Sequence, residues 1–507
     1  MKVEVESSAS MRGRKMGTSV IVVGAGPAGL MLAGELRLAG AEVVLVDRLD
    51  GPTDESRGMG FTARTMEIFR QRGLLHRFGE VITPIAGHFG SLPLDFSPDN
   101  GIHASVSGVP QRFTEQVLRD WVASLGVTVA YGHEVTALTD HGDTVEAEIA
   151  GPNGTERLHA AYLVGCDGGR STVRRLGGFD FPGQDATVEL LLADISGPAI
   201  SPRFTGERSP AGIVLAAPLG PDVSRIVIRL HGARPQHRTE SVEFAEVAAA
   251  WKQLTGEDIS GATAHWVSSF TDAARLVDSY RRGRILLAGD AAHIHLPAGG
   301  QGMNVSLQDS FNLGWKLGAV VTGRAPDTLL DTYHEERHQV GQALITNTLA
   351  QGMLFFGGSE TQPLRDVMTR LIGFEEPNRF LIGQASGLDV RYDVGIGAHP
   401  GLGLRMPDLD VATGADPGTT TVSQLLGPGR GVLLDLADDA TLRQTAAPWN
   451  DRVEVTTGAF RDLPSYEPFA GTDAVLLRPD GHVAWTSPGT DDGLETALNR
   501  WFGTPRT

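Results

Sequence analysis

Short apolar runs broken by glycine turns open this chain, and longer stretches of helical spacing follow. Val20 to Val23 is a continuous apolar run of strand length. After a glycine turn, apolar residues recur at helical spacing from about Pro27 to Ala39, and Gly40 supplies the stop. Glu42 to Val46 reads as a second strand closing at Asp47, which completes a strand–helix–strand unit. Thr62 to Arg72 has helical spacing, with Met66 and Phe69 as apolar positions and Gly73 as the stop. Phe113 to Leu125 predicts another helix, and Val127–Ala130, Thr144–Ile149 and Tyr162–Val164 predict strands.

From about Asp185 to Arg282 the texture turns β-rich. Val188–Ile195, Ile213–Ala217, Arg225–Leu230 and Ala264–Phe270 are strand-like, and one helix, Ser241 to Leu254, interrupts them. At Arg284 the first pattern resumes with the run Ile285–Ala288. A long helical stretch runs from about Gly300 to Met353, with two further helical pieces between Thr361 and Ala385. The last hundred residues predict strands Gly431–Leu434, Arg452–Thr456, Ala474–Leu477 and Val483–Trp485, then a helix from Gly493 to Phe502.

This order predicts an α/β protein of three packed units, in keeping with 507 residues at roughly 150 per domain. Residues 18–184 and 283–388 form one discontinuous unit, 185–282 an inserted sheet unit, 389–408 a Gly/Pro-rich linker and 409–507 a separate α/β unit. Residues 1–17 are polar without periodicity and read as a disordered extension. Arg12, Arg14 and Lys15 before the apolar run Ser19–Gly34 mimic a signal peptide, but cleavage there would destroy the glycine turn.

Charge and cysteine count narrow the function classes. A net charge of -18 repels phosphate backbones, and no basic stripe offsets it, so nucleic acid is not an expected partner. No apolar run has the length of a membrane span. The one cysteine, Cys166, permits no internal disulfide and no Cys-rich metal site, so a reducing cytoplasm is expected and no metal. Cys166 itself reads as a small buried apolar residue.

Four short segments carry candidate chemistry. Gly24-Ala25-Gly26-Pro27-Ala28-Gly29 joins a strand to a helix. Gly24 allows the tight turn, Gly26 lets a pyrophosphate approach the backbone, and Gly29 lets helix and strand pack closely; the helix start offers N–H groups to phosphate. Asp47, followed by Arg48, lies 23 residues after Gly24, where a carboxylate can grip ribose hydroxyls and would repel a 2′-phosphate. FAD or NAD, not NADP, therefore fits this turn. Gly283 to His293 contains the strand-ending pair Gly289-Asp290, whose carboxylate can reach sugar hydroxyls. Gly299-Gly300-Gln301-Gly302-Met303-Asn304 opens a helix, and its N–H groups suit the anionic end of a reduced flavin. Cys166-Asp167-Gly168-Gly169-Arg170-Ser171 follows the strand at Tyr162–Gly165. Together these segments favour FAD.

In order and spacing, the three motifs Gly24–Gly29, Asp167-Gly168 and Gly289-Asp290 resemble those of the single-component FAD-dependent aromatic hydroxylases. That group contains para-hydroxybenzoate hydroxylase and phenol hydroxylase. The resemblance extends over about residues 18 to 505 and is nearest to hydroxylases tailoring polycyclic aromatic polyketides, such as the angucycline hydroxylases. Ser56 to Glu67 and His295 to Asn304 look like that subgroup's versions of shared motifs. The resemblance implies a Rossmann-like FAD-binding domain, an inserted β-sheet substrate domain and a C-terminal thioredoxin-like domain. It gives Arg57 a place near the flavin and pyrophosphate, and Gln111 an FAD contact. Met303 and Asn304 would hold the flavin pyrimidine ring by their backbone, with Gly300 and Gly302 in the same helix start. Pro297 would lie beside the isoalloxazine, Asp290 on the ribitol, and Asp167 and Gly168 at FAD and NAD(P)H.

The implied reaction is aromatic hydroxylation in antibiotic biosynthesis. NADPH or NADH binds transiently and reduces FAD, O2 adds to give a C4a-hydroperoxide, and one oxygen passes to a phenolic ring. The substrate would lie against the inserted sheet, with His88, Phe89, Ile213, Leu215 and Trp266 as candidate wall residues; no general base is assigned. The C-terminal unit lacks a Cys-x-x-Cys pair, so its place is structural, with homodimer contacts among its candidate roles. A Baeyer–Villiger or ring-cleaving oxygenase remains the alternative, and a non-catalytic flavin-binding protein a second one.

Overall fold

The computed structural model describes residues 19–53, 57–81, 83–85, 87–96, 106–220, 222–235, 241–413, 419–461, 468–489 and 493–505. The N-terminal extension and Ser56 lie outside the described residues. The first sheet has six strands, in the order Arg281–Arg282, Ile285–Leu287, Tyr162–Gly165, Val20–Val23, Val43–Val46 and Val129–Ala130. All but the Arg281–Arg282 edge run parallel. Both faces are covered, so Val20, Ile21 and Val22 are wholly buried, and their sequence is an apolar run without alternation. Val20 pairs with Val43 on one side and Tyr162 on the other. The chain leaves this strand toward Val43–Val46 and returns on its other side only at Tyr162–Gly165, so the strand order reverses here and a crevice opens beyond the carboxyl ends.

Two helices pack over that crevice along small residues. A Cβ on Gly314 would lie 2.3 Å from the Glu35 Cβ, one on Gly318 2.3 Å from the Ala39 Cβ, and one on Gly289 3.2 Å from the Ala28 Cβ. Contacts advance in the same direction along both helices, Pro27–Leu38 and Gln301–Val321. The helices are therefore parallel, and both positive dipole ends face the same side.

The inserted sheet is antiparallel, in the order Arg203–Ser209, Gly212–Pro218, Val223–Leu230, Glu189–Ser196 and Thr263–Thr271. Leu191, Ala193, Ile195, Val214, Ala216, Ile226 and Ile228 form one face, packed on Val247 and Trp251 of helix Phe244–Thr255. Alternation then sends Leu190, Leu192, Asp194, Ile213, Leu215, Arg225 and Val227 to the opposite face. Among the longer described strands, Arg203–Ser209, Glu134–Asp140 and Gly154–Ala160 escape the apolar pattern. Each is largely polar and carries exposed positions, so pairing, not periodicity, makes it a strand. The long helical stretch divides into Gln301–Val321 and Asp331–Phe356, broken where Gly323 has φ 67° and Pro326 follows.

The C-terminal sheet runs Thr419–Thr421, Asp410–Thr413, Val453–Phe460, Gly431–Asp435, Ala474–Leu477 and Val483–Ser487. Gly431–Asp435 and Val453–Phe460 are parallel, joined through helix Ala440–Ala446; an antiparallel hairpin and helix Leu494–Phe502 follow. The segment expected as a linker is packed: Tyr392, Val394, Leu402 and Met406 are buried in the C-terminal core. A buried ionic cluster fastens this unit to the helices beside it. Glu336 accepts from Arg478 at 2.6 Å and Lys316 at 2.8 Å, and Asp480 accepts from Trp315 Nε1 at 3.0 Å.

His482 lies in the same cluster. Burial holds its pKa down at about 3, although Asp480 pulls the other way. An unfolded chain therefore takes up a proton below about pH 6.5 that the folded chain refuses, so stability falls from that pH down to about 3 and then levels. The expected slope near pH 5 is about 1.4 kcal/mol per pH unit from this residue. Urea midpoints measured from pH 7 to pH 4.5 check it, with a shallower slope in His482→Gln.

Candidate active site

The glycine turn is built for close approach. Gly24 has φ 102°, and a Cβ there would meet the Cys166 carbonyl oxygen at 2.5 Å. At Gly29 a Cβ would lie 1.8 Å from the Gly24 oxygen, whereas at Gly26 it would meet nothing within 4 Å. Gly24 and Gly29 thus serve the turn's own packing, and Gly26 borders open space. Pro27 starts the helix and Ala28 is buried beside Gly289; no side chain caps the helix start. Asp47 accepts from Ala25 N–H at 2.6 Å and Leu49 N–H at 2.9 Å, which pins it to the turn; Arg48 is exposed beside it. A carboxylate has about four lone-pair sites, so acceptor capacity remains. We expect Asp47→Ala to weaken FAD retention at least about tenfold, read as FAD content after dialysis, because charge-assisted hydrogen bonds are worth ~1.5–3 kcal/mol each.

The Cys166–Ser171 loop lies against Gly24. Asp167 accepts from the Ser171 hydroxyl at 2.5 Å, Thr172 N–H at 2.6 Å and Val173 N–H at 3.1 Å. Its carboxylate therefore shapes the loop, and Gly168, φ 79°, is the residue left at the turn. Arg174 ties this loop to the next, donating to the carbonyls of Ala291 at 2.9 Å and Gly169 at 2.8 Å. Burial pushes the Cys166 thiol well up, so it stays protonated.

Asp290 is exposed and takes a hydrogen bond from Ser306 at 3.3 Å. Gly289 before it is held by residues that motif reading missed. Asp309 accepts from Gly289 N–H at 3.0 Å, pairs with His293 Nε2 at 2.9 Å and takes Arg337 Nε at 2.6 Å. Burial would raise the Asp309 pKa, but Arg337 and His293 outweigh it and draw it below the usual carboxylate range. The signal for Asp309 and Arg337 was charge inside helical stretches that must be buried.

At the helix start, Gly299 and Gly300 have φ of 67° and 65°, and no side chain caps Gln301–Val321. The N–H groups of Gln301, Gly302 and Met303 lack helical partners by geometry. Asn304 uses its side chain on the backbone: it donates to Gly300 at 2.8 Å and Gly60 at 3.1 Å, and accepts from Thr62 N–H at 2.9 Å. The Arg57-Gly58 loop packs here, since a Cβ on Gly58 would lie 3.1 Å from the Met303 sulfur. Gln111 exchanges two hydrogen bonds with Gly58, at 2.9 and 3.0 Å, and donates to Glu115 at 2.8 Å. Burial raises the Glu115 pKa, opposed by Gln111 and Arg119 and aided by Asp47. Pro297 is exposed at the loop mouth. His295 donates Nδ1–H to Leu296 at 2.7 Å; burial and His293 lower its pKa to about 4, so it is neutral at pH 7.

These features fit FAD. Two parallel, uncapped helix starts supply N–H donors, Gly26 borders open space that a phosphate would fit, and the Asp47 and Asp290 carboxylates are of the kind that would hold sugar hydroxyls. Residues 17–348 match the model of the FAD binding domain, and residues 399–505 that of the aromatic-ring hydroxylase C-terminal domain.

The chain belongs to the FAD-dependent aromatic-ring hydroxylases.

This hydroxylase is a flavin monooxygenase by that membership. It is 43% identical over 501 residues to the 12-dehydrotetracycline 5-monooxygenase/anhydrotetracycline 6-monooxygenase of Streptomyces rimosus, covering 96% of this chain and 99% of that protein. The crystal structure of CabE, an aromatic hydroxylase from angucycline biosynthesis, is 57% identical with a TM-score of 0.93, covering 97% of this chain and 100% of that one. The dialkyldecalin synthase of Streptomyces rugosporus is 38% identical, covering 96% of this chain and 99% of that protein. No helix among the described residues is long and apolar enough to cross a membrane, and no cluster there could hold a metal ion.

The hydroxylase's inserted sheet turns its second face toward the loop bearing Leu296 and Ala298. Ile213, Leu190 and Val188 pack with Leu296, Phe355 and Phe356, and Leu215 and Phe270 join them. His88 stacks near Phe355, ring centroids 6.5 Å apart. Burial lowers the His88 pKa, and its Nδ1 accepts from Ser91 N–H at 3.3 Å. Trp266 lies on this face under the Arg225 guanidinium, 5.1 Å from the ring centroid, and Arg225 pairs with buried Asp194 at 2.7 Å. Phe89 is placed differently from the others, in a core with Leu354, Ile372 and Leu381.

Proposed function

We propose that this hydroxylase consumes NAD(P)H and O2 to hydroxylate a polycyclic aromatic polyketide of angucycline type. The observation carrying this reading is the apolar sheet face meeting Leu296, one residue before Pro297 of the flavin loop. When bound, FAD would supply redox chemistry: a hydride from NADPH or NADH reduces it, and O2 then yields one oxygen for the ring and one for water. The chain's own work is placement. The helix start Gln301–Met303 would offer N–H groups to negative charge on the flavin, while Asp47 and Asp290 bind sugar hydroxyls. Ile213, Leu215, Phe355 and Phe356 would lay a flat apolar ring system over the loop and exclude water. His88, neutral with Nδ1 accepting, would present Nε2–H to a substrate oxygen. An electron-rich phenol needs no strong base, and none is assigned.

This reading takes 18–184 with 283–388 as the FAD domain, 185–282 as the substrate domain and 409–507 as a thioredoxin-like domain. Its parallel strand–helix–strand followed by hairpin and helix supports the last point. Cys166 lies outside it, so dithiol exchange is not its role. The test is NMR of the product from a panel of polycyclic phenols. A new phenolic carbon is expected, and a lactone would favour the Baeyer–Villiger alternative. The dialkyldecalin synthase relative favours a second reading, a flavin protein whose reaction adds no oxygen. Substrate-stimulated NADPH consumption is expected under the first reading and absent under the second.

A further inference from the structure

The C-terminal unit reaches both walls of the flavin site through buried side chains. Arg478, Asp480 and His482 form the turn between strands Ala474–Leu477 and Val483–Ser487, and all three are buried. One branch runs through Tyr392, whose ring lies 4.3 Å from the His482 ring and 5.2 Å from the Arg478 guanidinium. The Tyr392 hydroxyl accepts from Arg337 Nη1 at 2.9 Å, Arg337 Nε donates to Asp309 at 2.6 Å, and Asp309 holds Gly289 N–H at 3.0 Å. The other branch starts at the Asp480 carbonyl, which accepts from Arg64 Nη2 at 2.6 Å. Arg64 lies two residues after Thr62, whose N–H donates to Asn304 at the helix start.

We infer that the turn 478–482 is a positioning element of the flavin site, acting through Tyr392, Arg337 and Asp309 to fix the Gly289-Asp290 loop. The inference rests on the FAD reading of that loop. Docking alone does not call for this chemistry, because apolar packing of similar volume holds units together as well as a buried ionic network. Here the network's terminal acceptor is spent on one loop N–H and on His293. Removing Arg337 strips Asp309 of its main counter-charge and frees the loop. The bare carboxylate, or a loosened loop, then disfavours negative charge on reduced flavin.

The experiment uses the full chain, freed of FAD and titrated with it in the cold, with the flavin midpoint potential measured alongside. Arg337→Met should weaken FAD binding about tenfold or more and lower the potential, with Arg337→Lys recovering most of both. Leu434→Ala empties a buried site in the C-terminal core without touching the relay. It should lower thermal stability while leaving FAD affinity within about twofold. Wild-type affinity and potential in Arg337→Met would overturn the inference, as would equal loss in Leu434→Ala. If Arg337→Met does not fold, Tyr392→Phe removes one hydroxyl and should weaken FAD about threefold, with unchanged affinity counting against the relay. A wild-type chain that takes up no FAD would instead refute the underlying reading.

Discussion

Gly26→Leu is expected to give a folded protein that no longer retains FAD, whereas Gly29→Ala is expected to lose the fold of the turn itself. The two glycines lie three residues apart but face different surroundings. A Cβ at Gly26 meets nothing within 4 Å, so a larger side chain enters the space a phosphate would take and strains nothing already present. At Gly29 the added carbon would lie 1.8 Å from the Gly24 oxygen, and helix and turn must separate to admit it. Losing two charge-assisted phosphate contacts corresponds to about 100-fold or more in FAD affinity. The Gly29 change carries an overpacking cost of about 1–3 kcal/mol or more. Circular dichroism and FAD titration of both variants check the contrast. A Gly26→Leu protein with undiminished affinity would remove the turn from the binding site.

Glu336→Ala is expected to cost about 3–5 kcal/mol, because it strips buried Lys316 of its carboxylate partner and leaves Arg478 with Asp480 alone. Glu336 is itself held down at about pH 2, with burial opposing and Arg478 and Lys316 prevailing. Lys316 already titrates low, at about 8, chiefly from burial. Without Glu336 it falls further, so the folded variant releases a proton that the unfolded chain keeps. Stability of the variant should then rise with pH across neutrality, the sign for a depressed lysine. Urea unfolding followed by fluorescence of the buried Trp449, Trp485 and Trp501 measures it at pH 7 and pH 9. A loss below about 1 kcal/mol would mean that the cluster is solvated in solution.

Much of the fold was readable because burial on both faces writes itself as unbroken apolar runs. Val20–Val23 and Tyr162–Gly165 are of this kind. Arg203–Ser209 and Glu134–Asp140 were not readable, since exposed strands are held by partners, not by pattern. The same division applies to the site. Gly24, Gly26, Gly29 and Asp47 announce themselves by spacing along one segment. Asp309, Arg337, Glu115 and Tyr392 work across 20 to 55 residues of separation or through neighbours, and spacing carries no trace of them. Asp167 shows the limit of motif reading in another way, since its carboxylate is spent on the loop that bears it. Phe89, one residue from His88, faces a core and not the wall; strand alternation separates neighbours.

A hydroxylase of this kind inserts one oxygen atom from O2 into an aromatic ring. Turnover of a polycyclic phenol with NADPH under isotopically labelled dioxygen tests it most directly. One labelled oxygen on a ring carbon of the product is expected, formed only when NADPH is present. A product without label, or one formed equally well without NADPH, would contradict it.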